Sequence, residues 1–115
     1  ASEPAIWNCK DVLEPFRWLS PRVVQVQRDL FEPAIRAAWR AKVFAAMALC
    51  PQHRFVLSTA YPSIYRHYVQ TIASDRSEYV TWRVSASFIL DDLGLGYLAT
   101  GEGPKWPLVN VELID

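Results

Sequence analysis

The sequence predicts an α+β domain in which N-terminal helices pack on one face of a C-terminal antiparallel β-meander of about three to four strands. Three observations predict it. Pro15, Pro21, Pro33, Pro51 and Pro62 cut the first half into short segments, several with apolar residues at helical spacing. From Tyr79 the period changes: Val80, Trp82, Val84, Ala86, Phe88 and Leu90 alternate with Thr81, Arg83, Ser85 and Ser87, as in a half-buried strand. All four glycines then fall between Gly94 and Gly103, where hairpin turns need them.

Taken in order, Ser20-Pro21 reads as an N-cap with proline at the first helical position. Val23, Val26 and Leu30 continue a helix from 21 to about 31. Ala34 to Leu49 is the strongest helical segment, Ala-rich with Ile35, Trp39, Val43, Ala46 and Met47 on one side, and Cys50-Pro51 ends it. Arg54 to Ala60 carries Phe55, Val56 and Leu57, a short strand or an extended connection. Tyr61-Pro62-Ser63 opens a helix with Ile64, Tyr65, Tyr68, Val69 and Ile72 on one face and Arg66, His67 and Gln70 on the other. The alternating run to Leu90 is the first strand of the meander. A turn over Asp91-Asp92-Leu93-Gly94-Leu95-Gly96, a strand from Tyr97 to Thr100, a turn over Gly101-Glu102-Gly103-Pro104 and a strand from Leu108 to Ile114 complete it. The preceding helices cover its apolar face.

At 115 residues the chain is expected to form a single domain over 1–115 and to bury an ordinary core without staples. Twelve Lys and Arg balance twelve Asp and Glu, which disfavours a dedicated nucleic-acid binder that works by neutralising phosphates. Cys9 and Cys50 are too few and too far apart for a disulfide framework or a zinc site, so no metal is expected. The longest apolar run, Val43 to Cys50, is far too short to span a bilayer, and the N-terminus has no basic start followed by an apolar stretch. The expectation is therefore no membrane and a cytoplasmic protein, unless a leader has been removed.

No phosphate-loop, dinucleotide, zinc-protease or nucleophile-elbow motif is present, so the sequence implies no cofactor and does not point to an enzyme. Gly94-Leu95-Gly96 is only a fragment between two expected strands. If there is catalysis, the groups to suspect are His67, Tyr65 and Asp91, since histidine titrates near neutrality and a carboxylate can be raised by burial. Their ordinary reading is a solvated histidine, a core tyrosine and a turn aspartate. Five tryptophans are many for a core of this size, and Trp7 and Trp106, near a terminus and a Pro-rich turn, are candidates for a partner-facing patch. Charge is uneven: Ile35 to Ser74 holds five basic residues and no acid, while Ala86 to Asp115 holds five acids against Lys105. Arg36 and Arg40, four apart on a helix, would share a face and form a basic patch for an acidic partner or a second copy. The functional expectation is a small non-enzymatic binding protein, acting through the aromatic patch or an exposed sheet edge on a protein partner, self-association included.

Two resemblances give alternatives. Leu90-Asp91-Asp92-Leu93-Gly94-Leu95, followed by the Gly101 to Pro104 turn, resembles the end of the recognition helix and the wing of winged-helix DNA-binding domains. That resemblance implies Thr81, Arg83, Ser85 and Ser87 in the groove and Lys105 on the wing. Helices on a curved sheet also resemble, in architecture alone, the cone of folds similar to nuclear transport factor 2, which implies an apolar ligand or hydrolase/isomerase-like pocket.

Overall fold

The valine-rich segment Arg22-Val23-Val24-Gln25-Val26 is extended, as β-branched side chains prefer, and it sits inside a parallel sheet. The computed structural model describes residues 3–92, 94 and 105–114. Its sheet contains β1 (Glu3–Trp7), β2 (Arg22–Val26), β3 (Arg54–Ser58) and β4 (Val111–Ile114), ordered β1-β2-β3-β4 with every neighbouring pair parallel. Parallel neighbours need crossovers. These are supplied by α1 (Glu14–Arg17), α2 (Ala37–Ala48) and the pair α3 (Pro62–Ser74) and α4 (Arg76–Asp92).

The antiparallel C-terminal meander is therefore corrected to a four-stranded parallel sheet whose strands interleave with helices. Three particulars change with it. Residues 21–31 are not a helix, because Val24 and Val26 alternate with Val23 and Gln25 across the β2 pleat. Val80 to Leu90 is not a strand but the body of α4, with Trp82, Ala86 and Leu90 buried at spacing four. Asp91 and Asp92 end that helix instead of forming a turn. The last strand exists over Val111–Ile114 but lies parallel to β3. The expected strand from Tyr97 to Thr100 and the Gly101 to Pro104 turn lie outside the described residues. An antiparallel curved cone does not match this sheet, and neither does a winged-helix core.

Register explains the core. Ala5, Val24, Phe55 and Val111 pair in one inward row, and Trp7 with Val26 and Leu57 with Leu113 extend the same face. In a sheet whose strands add in sequence order, crossovers of one hand put all the helices on one face. α2 packs on α1 and α4, and α3 on α4. α2 is buried almost all round, with Ala41 and the run Val43 to Met47 inside. Linking α2, α3 and α4, Phe31, Phe44, Tyr68, Trp82 and Trp106 form a chain of rings with centroids 5.1–5.9 Å apart. The other sheet face is open: Ile6 is 60% exposed, and Gln25, Arg54 and Ser58 also face outward.

Three polar devices lock the layers. His53, 1% exposed, accepts the Arg22 N–H at Nδ1 (3.1 Å) and meets the Pro15 carbonyl at Nε2 (2.9 Å), an arrangement in which Nδ1 is the acceptor and Nε2–H the donor. Asn110 Nδ2 donates toward the carbonyls of Met47 (2.9 Å), Cys50 (3.1 Å) and His53 (3.2 Å), tying the start of β4 to the end of α2. Asp29 accepts from Thr59 Oγ1 (2.6 Å), the Ala60 N–H (3.0 Å) and the Phe31 N–H (3.0 Å), joining the segments that leave β2 and β3.

Candidate functional site

The carboxyl ends of parallel strands are where loops from separate crossovers converge, and a cavity of about 710 Å³ opens there. Asn8 and Lys10 line it from the segment after β1, and Gln27 and Arg28 from the segment after β2. Ala34, Ile35 and Arg36 lead into α2, whose Ala38, Trp39 and Lys42 continue the wall, and Ile89 of α4 closes it. Ala38 and Trp39 are four and three residues before Lys42, so one side of the first turns of α2 faces the space.

Four cations, Lys10, Arg28, Arg36 and Lys42, line this cavity, and among the described residues no carboxylate does. Among the described residues none of the four is in an ion pair; the pairs formed are Arg17 with Asp11 and Arg54 with Glu112. Asp29, next to Arg28 in sequence and in its field, is committed elsewhere. Burial pushes its carboxyl up, yet the bonds from Thr59, Ala60 and Phe31, with the Arg28 charge, hold it below the usual range. Arg36, the N-cap of α2, makes no side-chain cap bond, and no acid sits in the first turn, so the positive end of the helix dipole adds to the four charges.

The segment after β1 has its own constraint. Cys9, between Asn8 and Lys10, has φ 65°, a conformation that a non-glycine residue adopts at a cost of about 1 kcal/mol. The turn is held by the Lys10 N–H donating to Asn8 Oδ1 (3.0 Å) and by the buried Cys9 side chain. Burial pushes the Cys9 thiol up to about 12, with Arg28 opposing, and the Cys50 thiol likewise to about 12, so neither is an activated nucleophile.

The residues singled out from sequence are dispersed. Arg36 lines the cavity, but Arg40 does not share its face. Arg36 is the cap, with extended backbone at ψ 137°, so helical spacing does not relate the two. Arg40 turns inward: its Nε–H donates to the Leu30 carbonyl (2.7 Å), and its guanidinium lies 5.0 Å from the Phe31 ring and 5.5 Å from the Tyr68 ring. Trp7 is fully buried, donates Nε1–H to the Asp11 carbonyl (3.0 Å) and packs on Phe55, leaving no ring surface for a partner. Trp106 is half-buried in the aromatic chain and lines a second cavity of about 700 Å³ with Arg76, Arg83 and Lys105. His67 is exposed on α3, Tyr65 is half-buried against Phe31 with its hydroxyl pushed up by burial, and Asp91 is exposed at the end of α4. Neither cavity is lined by any of these three. On α4 Val80, Val84 and Phe88 are exposed together with Thr81, while Arg83, Ser85 and Ser87 are half-buried.

Sequence reasoning missed Lys10, Arg28 and Lys42 as partners of Arg36. The signal was present only for Lys42, three and four residues from Trp39 and Ala38 on a recognised helix. No protein-family model, curated protein or solved structure matches the chain at a significant level. Among the described residues no group of three or more His, Cys, Asp or Glu side chains is placed to hold a metal ion. No helix among them is long and apolar enough to cross a membrane.

Proposed function

We propose that this is a binding protein for a small polyanion, a phosphate-bearing ligand, held in the cavity at the carboxyl ends of β1 and β2. The observation that carries the reading is the convergence of Lys10, Arg28, Arg36 and Lys42 on one concave site that no described carboxylate lines. Like charges crowded in this way repel one another, and an anion relieves that repulsion while gaining charge-assisted hydrogen bonds. Arginine supplies planar forks that match phosphate oxygens in pairs, and lysine supplies mobile point charges. The uncapped start of α2 adds N–H donors on the same side. Among the described residues the lining offers no histidine, carboxylate or free thiol to move a proton, which favours binding over turnover.

Arg36→Glu separates binding from folding, because the two effects have opposite signs. A carboxylate at the N-terminus of α2 is favourable to the helix by about 0.3–1 kcal/mol. In the cavity the same change replaces attraction by repulsion and weakens a polyanion by about tenfold or more at low salt. Calorimetric titration with inorganic tripolyphosphate is expected to show binding by the wild type that fades as salt rises. Arg36→Glu is expected to lose it while melting no lower than the wild type. Tripolyphosphate that fails to bind the wild type at low salt, or binds Arg36→Glu equally well, overturns the reading.

A further inference from the structure

The cationic cavity has a second character that a bare polyanion leaves unused. Ile35, Trp39 and Ile89 form an apolar wall beside the four charges, and Asn8 and Gln27 contribute side-chain amides. Trp39 is half-buried, anchored by α2 on one side and open to the cavity on the other. A volume of about 710 Å³ is ample for a drug-sized ligand and generous for an inorganic phosphate chain. Tripolyphosphate alone would satisfy the cations and leave the tryptophan and both isoleucines in water.

Resting on the phosphate-binding reading, we infer that the ligand is a nucleoside di- or triphosphate, its phosphates on Lys10, Arg28, Arg36 and Lys42 and its base against Trp39. Three features of the ligand answer three features of the site. A di- or triphosphate carries a charge of about three to four at neutral pH, which four cations neutralise. The planar base has a π-face to stack on indole, an interaction that tolerates any base. The base edge presents donors and acceptors to amides, which offer both. Among the described residues the lining has no carboxylate to help hold a magnesium ion, and its four cations supply neutralisation of their own.

Calorimetry on the intact wild-type chain in magnesium-free, low-salt buffer decides the point by comparing adenosine triphosphate, tripolyphosphate and adenosine. The triphosphate nucleotide is expected to bind at least tenfold more tightly than tripolyphosphate, and adenosine far more weakly than either. Trp39→Leu is expected to bring the nucleotide to within about threefold of tripolyphosphate, with both ligands measured on that variant. Should that variant fold poorly, quenching of wild-type tryptophan emission by the nucleotide, and not by tripolyphosphate, replaces it. Equal binding of nucleotide and tripolyphosphate overturns the nucleotide inference and leaves phosphate binding standing. Binding of neither overturns both. A short 5′-phosphorylated single strand that binds more tightly than the mononucleotide overturns it in favour of a nucleic-acid end.

Discussion

Truncating Asn110 to alanine removes a side chain that ties the start of β4 to the end of α2. Its Nδ2 lies 2.9–3.2 Å from three carbonyls, of Met47, Cys50 and His53, but an amide carries only two N–H groups, so it is worth about two hydrogen bonds. At a net value of about 1 kcal/mol each, that is ~2 kcal/mol. The cost does not rise much above this, because Met47 and Cys50 keep backbone donors in the Cys50 N–H (3.2 Å) and the His53 N–H (3.1 Å). With an unfolding entropy of about 2.1 cal/mol/K per residue, 115 residues give roughly 0.24 kcal/mol/K. The melting temperature of Asn110→Ala should therefore fall by about 8 °C, followed by circular dichroism or calorimetry. Asn110→Asp keeps the shape but points a charged acceptor at three acceptors, and should fall further. A drop smaller than about 2 °C for alanine, or an aspartate variant as stable as the wild type, would refute the clamp.

Two further outcomes test the layers. Trp82→Ala should lose about 3–5 kcal/mol in urea unfolding, because Trp82 is buried against Trp106, whereas Phe88→Ser, at a ring 67% exposed, should stay within about 0.5 kcal/mol. An alternating strand would have put both residues on one face and made both costly. Asp29 titrates below the ordinary carboxylate range when folded, so its contribution is present above the unfolded value of about 3.9 and is lost as pH falls through the lower folded value. Asp29→Asn should be less stable than the wild type at pH 7, with the gap closing below about pH 4; urea midpoints at pH 7 and pH 3 that differ by the same amount would contradict this.

The helices α2 and α3 were legible because their signals agree: alanine content and Pro51 for α2, Pro62 and a one-sided tyrosine stripe for α3. The strand β3 was half legible, since Phe55 and Leu57 are too few residues to separate a strand from an extended link. The misreading of α4 has a physical origin. Apolar residues at every even position from 80 to 90 satisfy a period of two, but the same positions split into two rows at spacing four. Val80, Val84 and Phe88 lie on one side of a helix, and Trp82, Ala86 and Leu90 on another. Burial selects the second row and leaves the first in water. Two marks in the sequence favour the helix. Ile89, which interrupts the polar set, joins Tyr79, Trp82, Ala86 and Leu90 in one helical stripe, and Asp75 with Glu78 forms a capping signature. Asp75 Oδ1 accepts the N–H groups of Ser77 (2.9 Å) and Glu78 (3.3 Å). Once α4 is read as a strand, β4 has no parallel partner to seek, and a meander follows. The candidate site depended on that topology, because Lys10 and Arg28 reach Arg36 only where β1 and β2 run side by side in the same direction.

The parallel order also changes what the charge total means. Twelve cations and twelve anions cancel over the chain, and at a distance the protein presents little field. At physiological ionic strength, however, a charge acts over about 8 Å, which is less than the width of the molecule. Within that range a ligand in the cavity meets Lys10, Arg28, Arg36 and Lys42 together with the start of α2, while Glu112 is spent on Arg54 on the open sheet face. A long polyanion would extend beyond the cavity over a surface of mixed sign and gain little from its additional phosphates. A compact one keeps all its charge inside the favourable region. Neutrality therefore argues against a nucleic-acid tract along the surface and is compatible with a small phosphate ligand in one recess, where a cluster of cations matters and a sum over the sequence does not.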